Sequence, residues 1–391
     1  MVLLALACTV PCGTGTHLSA GTCVADATTD SATSDTGDTD TDSDTDTDTD
    51  TDTDTDTDTD TDTDTDSGTS PACDVAADGS AAYTDIQAAV DDASEGDTIR
   101  VCAGTYSWVD IERHAVTLLG AGADVTTIDG GVHTAVTANG VPVSLDGFTL
   151  LGSGSVSTPA ALSFASSSGT VTNVRFVGST TGQFYTAWQT NSSVEWDDDL
   201  FEDNVTGGLC GGFGGSMIVR NTVFHNDDGV MICTNGLDDF EFANNLIYGN
   251  RSTTALTYID GAGSWVYNNV LYGNTITSSP ALYFNADVLV ENNIVANTSG
   301  GSGVFISEGY QVNYNDIYGN DGGNIVYYGT ATVGSNLTSD PRFTDAASSD
   351  FTLKAGFSPC IDAGDPLAGY NDVDGTRNDV GAFGGPGGSG W

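Results

Sequence analysis

Between Val194 and Asn320 one pattern returns every 23 or 24 residues: apolar, x, apolar, x, Asn, polar, apolar, apolar. The copies read Met217-x-Val219-x-Asn221-Thr222-Val223-Phe224, Phe240-x-Phe242-x-Asn244-Asn245-Leu246-Ile247, Ser264-x-Val266-x-Asn268-Asn269-Val270-Leu271 and Val288-x-Val290-x-Asn292-Asn293-Ile294-Val295, then a shortened Asn315-Asp316-Ile317-Tyr318. Apolar alternation with period two on both sides of a polar corner describes short strands meeting at a bend, because successive strand side chains point to opposite faces. No helix fits that spacing.

A repeat this short cannot bury its own apolar face, so copies must stack and share one core. Stacked strands lie about 4.8 Å apart. An Asn at the same corner of each coil can donate to one neighbour and accept from the other, which predicts an internal ladder of Asn221, Asn244, Asn268, Asn292 and Asn315. Fainter copies extend back through Val194-x-Trp196-x-Asp198, Val171-x-Asn173 and Val143-x-Leu145-Asp146-Gly147. In all, roughly ten to twelve coils are expected. The fold class is therefore all-β, a single-stranded parallel β-helix.

The chain is strongly acidic, with 55 Asp and Glu against 8 Lys and Arg and a formal charge of -47. Eighteen of the acids lie at or before Asp66, mostly in a Thr-Asp repeat, so residues 67–391 still carry 37 acids against all 8 bases, about -29. Nucleic-acid binding needs a basic footprint that is missing here, and charge alone does not attach the chain to anionic lipid. The Thr-Asp run has no apolar residue to bury and repels itself, which predicts a disordered tether over residues 27–70. Fully stretched, it reaches at most ~145 Å.

Met1–Ala7 is apolar and ends at Cys8, as in a bacterial lipoprotein signal whose Cys is lipidated. Membrane attachment is expected only through that lipid, since no apolar run has the length of a span. Cys12 and Cys23 flank a small polar loop in residues 1–26, so a disulfide is expected there in an oxidising compartment. Cys210 and Cys233 stand one coil apart, 23 residues, where stacking distance suits either a bridge or two unbonded thiols. Cys73 and Cys102 can close the first coil, which leaves Cys360 without a partner. An exported protein at the outer surface or outside the cell is the expectation, and a monomer.

Residues 73–130 carry a resemblance. Tyr83-Thr84-Asp85-Ile86-Gln87-Ala88-Ala89-Val90, Gly96-Asp97-Thr98-Ile99-Arg100-Val101, Ala103-Gly104-Thr105-Tyr106 and Ile128-Asp129-Gly130 resemble the opening of right-handed parallel β-helix proteins of the pectin-lyase-like superfamily. The resemblance implies an amphipathic helix that caps the first coil, and Ile86, Ala89, Val90 and Ala93 fall on one helical face. The tail, with Asp340-Pro341-Arg342-Phe343 and Asp374-Gly375-x-Arg377-x-Asp379-Val380-Gly381, is similar to the C-terminal closure of bacterial surface β-helix proteins. The β-helix domain is placed at residues 71–386, with a Gly-rich tail at 387–391.

Fold does not fix function. Polygalacturonase-like members of that superfamily carry Asn-x-Asp, Asp-Asp, Gly-His-Gly and Arg-x-Lys on successive coils. Only the Asp-Asp type stands here, as Asp197-Asp198-Asp199 and Asp227-Asp228-Gly229. A lyase would need Ca²⁺ held by carboxylates and an Arg or Lys as base. Asp198, Asp199, Asp227 and Asp228, with Asp203, are candidates for the first role, and Arg220 or Arg175 for the second. Each has a plainer reading: Asp198 as a ladder corner, Asp227-Asp228-Gly229 as an Asx turn, the arginines as exposed strand residues paired with acids. Exposed aromatic faces stack on sugar rings, which makes Trp196, Trp265 and Tyr267 candidates, with Tyr185 and Trp188 nearby; the plainer reading of Trp196 and Tyr267 is as packing residues of a strand. Asn371-Asp372-Val373-Asp374-Gly375 resembles half of a Ca²⁺ loop, so Asp372 and Asp374 are candidate metal ligands. The sequence favours an exported structural or carbohydrate-binding module acting on a polysaccharide or surface component. The alternative is a polysaccharide lyase or glycoside hydrolase.

Overall fold

The computed structural model describes residues 16–19, 22–25 and 73–389, apart from 153–160, 180–184, 206, 262, 278, 286–287, 307–310 and 328–331. The predicted tether, Cys8 and Cys12 lie outside the described residues. In the N-terminal unit, Thr16–Ser19 and Thr22–Ala25 pair antiparallel, with Leu18 opposite Cys23.

The remainder, Ser70–Trp391, is a parallel β-solenoid in which each coil gives one strand to each of three long sheets. The first sheet has eleven strands, from Asp97–Val101 to Thr332–Gly334. The second has ten, from Gly104–Ser107 to Asp316–Tyr318, and the third ten, from Val109–Ile111 to Ile325–Tyr327. The apolar-x-apolar pair of each repeat points inward from the first sheet, as Met217 and Val219 or Phe240 and Phe242 do, and is buried. In the double apolar pair that follows, only the second residue enters the core. Phe176, Phe201 and Phe224 stack there with ring centroids 4.3 and 4.7 Å apart.

The ladder lies one residue beyond the predicted one, at a correction that backbone geometry explains. Asn221, Asn244, Asn268 and Asn292 take left-handed φ of 48, 55, 51 and 59° to turn the corner between the first and second sheets. That region is open to Asn but costly for branched or bulky residues. The next residue points into the corner. Asn245 Nδ2 donates to Asn269 Oδ1, Asn269 to Asn293 and Asn293 to Asn315, each at 2.9 Å, and Asn315 to Asn336 at 3.1 Å. Asn315 is thus a ladder residue, and Tyr314, with φ 57°, is its corner. A second ladder runs along the corner between the second and third sheets. There the backbone N–H groups of Ser179, Asn204, Asp227 and Asn250 donate to the side chains of Asn204, Asp227, Asn250 and Asn274 at 3.1, 2.7, 2.8 and 3.0 Å.

Both ends are finished. Helix α1 (Ile86–Asp92) buries Ile86, Ala89 and Val90, and its N-cap Asp85 accepts from Ala88 N. At the other end the chain returns over the outer face of the second sheet. Phe351, Cys360, Val380 and Ala382 form a second core with Leu246, Val270 and Ile294, the outward members of the double apolar pairs. The corner asparagines anchor it: Asn244 Nδ2 donates to Ala382 O and Gly384 O at 2.8 Å, Asn268 Nδ2 to Asp379 O and Gly381 O at 3.0 Å, and Asn292 Oδ1 accepts from Asp365 N at 2.8 Å. The Gly-rich tail continues this contact, since a Cβ on Gly387 would meet Asn244 Oδ1 at 2.5 Å.

Asn269→Leu is expected to cost about 1–3 kcal/mol, because it leaves the buried amides of Asn245 and Asn293 with unmade bonds. Urea melts of the variant that superimpose on those of the parent would refute the ladder.

Candidate functional site

The five candidate catalytic residues do not converge. Asp198 and Asp199 stand at the corner between the first and second sheets, and Asp227 and Asp228 at the corner between the second and third. Asp198 is a left-handed corner residue, φ 57°. Asp199 and Asp227 occupy ladder positions, both buried, and their Oδ1 atoms accept from Val174 N and Asn204 N at 2.9 and 2.7 Å. Asp228 is exposed and bridges to Arg251 through its backbone. Arg220 lies on the outer face of the first sheet and donates Nε and Nη2 to Glu241 at 2.9 and 3.0 Å. Arg175 pairs with Glu202. The arginines pair with acids and Asp198 turns a corner, as the plainer reading had it, but Asp227 is a buried rung of the second ladder rather than an Asx turn.

Burial, opposed by the bond from Val174 N, pushes the Asp199 carboxyl well above the usual range. Burial likewise raises Asp227 to about 8. Each keeps a second oxygen, Oδ2, buried and without a hydrogen-bond partner among the described residues. Where Asn stands in the second ladder, its Nδ2 donates to the strand carbonyl one coil earlier, as Asn250 does to Phe224 O at 2.8 Å. Burial favours the neutral form of both carboxyls, which keep the acceptor role of the amides at equivalent positions.

The aromatic candidates divide. Trp196 is wholly buried, with Nε1 donating to Gln189 Oε1 at 2.9 Å, so it is a core residue that no sugar reaches. Tyr267 faces outward from the first sheet, but its hydroxyl donates to Glu241 at 2.6 Å and its ring meets Tyr370 of the closure. Trp265 is half-buried on the same face. Asp372 and Asp374 act as turn acceptors rather than a cage: Asp374 Oδ1 takes Thr376 N and Oγ1 at 2.9 and 2.6 Å, and Asp372 Oδ1 and Oδ2 take Gly385 N and Asp379 N at 2.5 and 3.1 Å. Among the described residues no three His, Cys, Asp or Glu side chains gather where they could hold a metal ion.

What the structure does assemble is a stripe on the outer face of the third sheet. In-register pairing places one outward side chain of each coil directly above the last. The column begins polar, with Asp110, Thr137 and Ser163, continues as Trp188, Cys210 and Cys233, and ends as Tyr258, Tyr283, Phe305 and Val326. Cys210 and Cys233 are joined by a disulfide with Cα atoms 4.4 Å apart. Beyond it the rings of Tyr258, Tyr283 and Phe305 stack with centroids 5.2 and 5.1 Å apart and planes within 11°. Tyr258 remains 37% exposed. Two residues further along the chain, an amide or carboxylate flanks the stripe on three of these coils, as the exposed Asn235 and Asn285 and the half-buried Asp260. Burial first, then Asp260 and Tyr283, push the Tyr258 phenol up, so it stays a neutral donor and acceptor. Sequence reading missed Tyr258, Tyr283 and Phe305. Their 22–25-residue spacing was the available signal, obscured because each sits alone between inward apolar residues.

Residues 160–338 match the family described as right handed beta helix region, and the resemblance read from the sequence is borne out in the fold. A comparison with curated proteins gives no match. Among solved structures, the A-module of the Azotobacter vinelandii mannuronan C-5 epimerase AlgE4 is similar at 16% identity and TM-score 0.45, over 65% of this chain and 84% of that one. A PL6 family polysaccharide lyase from Pseudopedobacter saltans is similar at 12% identity and TM-score 0.32, over 68% and 94%. Pectin methylesterase from carrot follows at 14% and 0.31, over 67% and 88%. Likenesses this distant do not bear on chemistry.

Asp227→Asn tests the ladder role. The folded carboxyl titrates at about 8 against 3.8 when unfolded, so its contribution to stability is full below the unfolded value and is lost as pH rises to the folded one. The variant is expected to gain on the parent steadily across that window, read as a Tm difference at pH 4 and pH 8. A constant or shrinking difference contradicts the assignment.

Proposed function

We propose that this right-handed parallel β-helix protein is an exported glycan-binding module that lays an extended polysaccharide along the outer face of its third sheet. The observation that carries this reading is the aligned column of Trp188, Tyr258, Tyr283 and Phe305. Aromatic side chains offer apolar surface with a polar handle, and an outward column repeating about every 4.8 Å along the axis suits a ligand that is itself a repeat of rings. Asn235, Asp260 and Asn285 supply hydrogen-bonding groups beside it, the combination of apolar floor and few polar groups that ligand sites use. Cys233 and Val326 continue the column beyond the two ends of the stack, so what it offers is its edges and hydroxyls and the glycan runs along a rib.

A net charge of about -29 on residues 67–391 disfavours a densely charged polymer and points to a neutral or sparsely charged one. Export is supported by the disulfides Cys73–Cys102 and Cys210–Cys233, which persist in oxidising compartments. Lipidation at Cys8 and the Thr-Asp tether complete the proposal as a surface-held monomer.

Tyr283→Ala removes the middle ring and separates its neighbours. It is expected to weaken binding to the best glycan of an array roughly 2- to 10-fold, from ~0.5–1.5 kcal/mol per aromatic contact, with an unchanged melt. Undiminished binding, or an array on which the full chain finds nothing, speaks against the stripe. Release of unsaturated or reducing ends from any bound polymer, lost on substitution of Asp260, would favour the catalytic alternative.

A further inference from the structure

The closure builds a second concavity, of about 370 Å³, over the outer face of the second sheet. Its walls are aromatic: Tyr272 from the sheet, Phe343 from the hairpin of Phe343–Asp345 and Asp350–Leu353, and Phe357, which is 62% exposed. Tyr272 and Phe343 meet edge to face, with centroids 5.4 Å apart. Arg342 and Lys354, two of the chain's 8 basic residues, line the same space. Arg342 O accepts from Lys354 N at 3.0 Å, so the two cations arise from paired backbone.

Among the described residues only Arg175 and Arg220 of the eight bases pair with a carboxylate, and Arg342 and Lys354 are the two unpaired bases that share one concavity. Arg175 and Arg220 are each spent on a glutamate, and Arg377 donates to the carbonyls of Ala363 and Gly364. Among the described residues, neither Arg342 nor Lys354 has a carboxylate within 4.0 Å of its side-chain nitrogens. The Lys354 ammonium stands 5.7 Å from the Phe357 ring centroid, and Arg342 Nη1 donates to Phe357 O at 3.3 Å, so both cations hold the exposed ring in place. Arg342 also takes a left-handed φ of 53°, a conformation that an Arg holds at some cost and that tends to occur at binding sites. Asp340 Oδ1 caps the Arg342 backbone N–H at 3.0 Å and fixes that turn.

We propose that this concavity binds an organic carboxylate with an apolar or aromatic body. The planar fork of Arg342 matches a carboxylate and Lys354 adds a point charge, while Phe343, Phe357 and Tyr272 receive the body. Asp340 also lines the concavity, with its Oδ1 engaged by the Arg342 backbone N–H, so two cations face one carboxylate there, and the screening length of about 8 Å at physiological salt limits the reach of the more distant acids. The site shares no residue with the third-sheet stripe and does not depend on it.

Titration of the full chain with benzoate, followed by ligand-observed NMR, tests this. Benzoate should bind, benzamide and acetate should bind at least about tenfold more weakly, and the affinity should fall with added salt. Arg342→Asn, which keeps a residue tolerant of left-handed backbone, and Lys354→Gln should each lower benzoate affinity on the order of tenfold without moving the melting temperature. Tyr283→Ala should leave benzoate binding unchanged. N-acetylphenylalanine separates the sources: affinity equal to or above that of benzoate assigns the site to a peptide terminus, and lower affinity to a free small carboxylate. The proposal fails if benzoate and benzamide bind alike, if acetate matches benzoate, or if neither substitution weakens binding.

Discussion

The rest of the structure depends on the hydrogen bonds that corner side chains make to the coils above and below. From Asn245 to Asn315, at the corners between the first and second sheets, an amide gives its Nδ2 to the next coil's Oδ1, and that same oxygen also accepts the backbone N–H of the coil before it. Asn269 Oδ1, for example, takes both Asn245 N and Asn245 Nδ2, at 3.0 and 2.9 Å. Within its own coil such an amide reaches only one carbonyl, as Asn269 Nδ2 reaches Tyr267 O at 3.0 Å, and its Oδ1 is filled from the coil before it; an unmade bond in the core carries the full desolvation penalty. Coil length is therefore held to a narrow range. An extra residue between ladder positions would move an amide out of line and reverse the faces of the strand that follows.

The same constraint explains why two carboxyls with strongly raised titration are not taken as a catalytic pair. Buried acids with shifted values are usual candidates for active sites. Asp199 and Asp227 owe their shifts mainly to burial in two different corners, and each stands where neighbouring coils carry Thr222, Asn245 or Asn250. Substitution of Asn by Asp preserves the acceptor. The position tolerates the acid because a neutral carboxyl is nearly an amide in shape and accepting role.

The architecture was legible in the sequence because period-two alternation and a fixed 23–24-residue step survive every local variation. The ladder register was not, because two adjacent asparagines look alike on paper while only backbone φ separates them: Asn244 turns the corner and Asn245 enters it. The repeated Tyr-Gly-Asn at 248–250, 272–274 and 318–320 carried the second ladder, with Gly supplying the left-handed turn and Asn the rung. Trp196 and Trp188 illustrate the remaining difficulty. Alternation shows which residues share a face, and the packing alternative read for Trp196 is the one the structure gives, since it lies in register with the inward Val219. Each corner, however, resets which parity points inward, which hid the outward place of Trp188. The outward apolar residues Leu246, Val270 and Ile294 made the repeat look fully buried there, and only the closure accounts for them.

The closure covers the outer face of one sheet and not that of another. An outward apolar column on the second sheet would be an exposed patch of the kind that promotes association, and the returning chain covers it with Phe351, Val380 and Ala382. The outer face of the third sheet carries a comparable column in Tyr258, Tyr283 and Phe305, whose rings stack along the axis, yet among the described residues no returning segment packs over it. One chain thus treats two similar columns in opposite ways. Covering the first costs some fifty residues of ordered backbone, from Asp340 to Gly388, so the fold has the means to bury an apolar stripe. That the aromatic one is left open, flanked by Asn235, Asp260 and Asn285, is what favours the ligand role proposed for it.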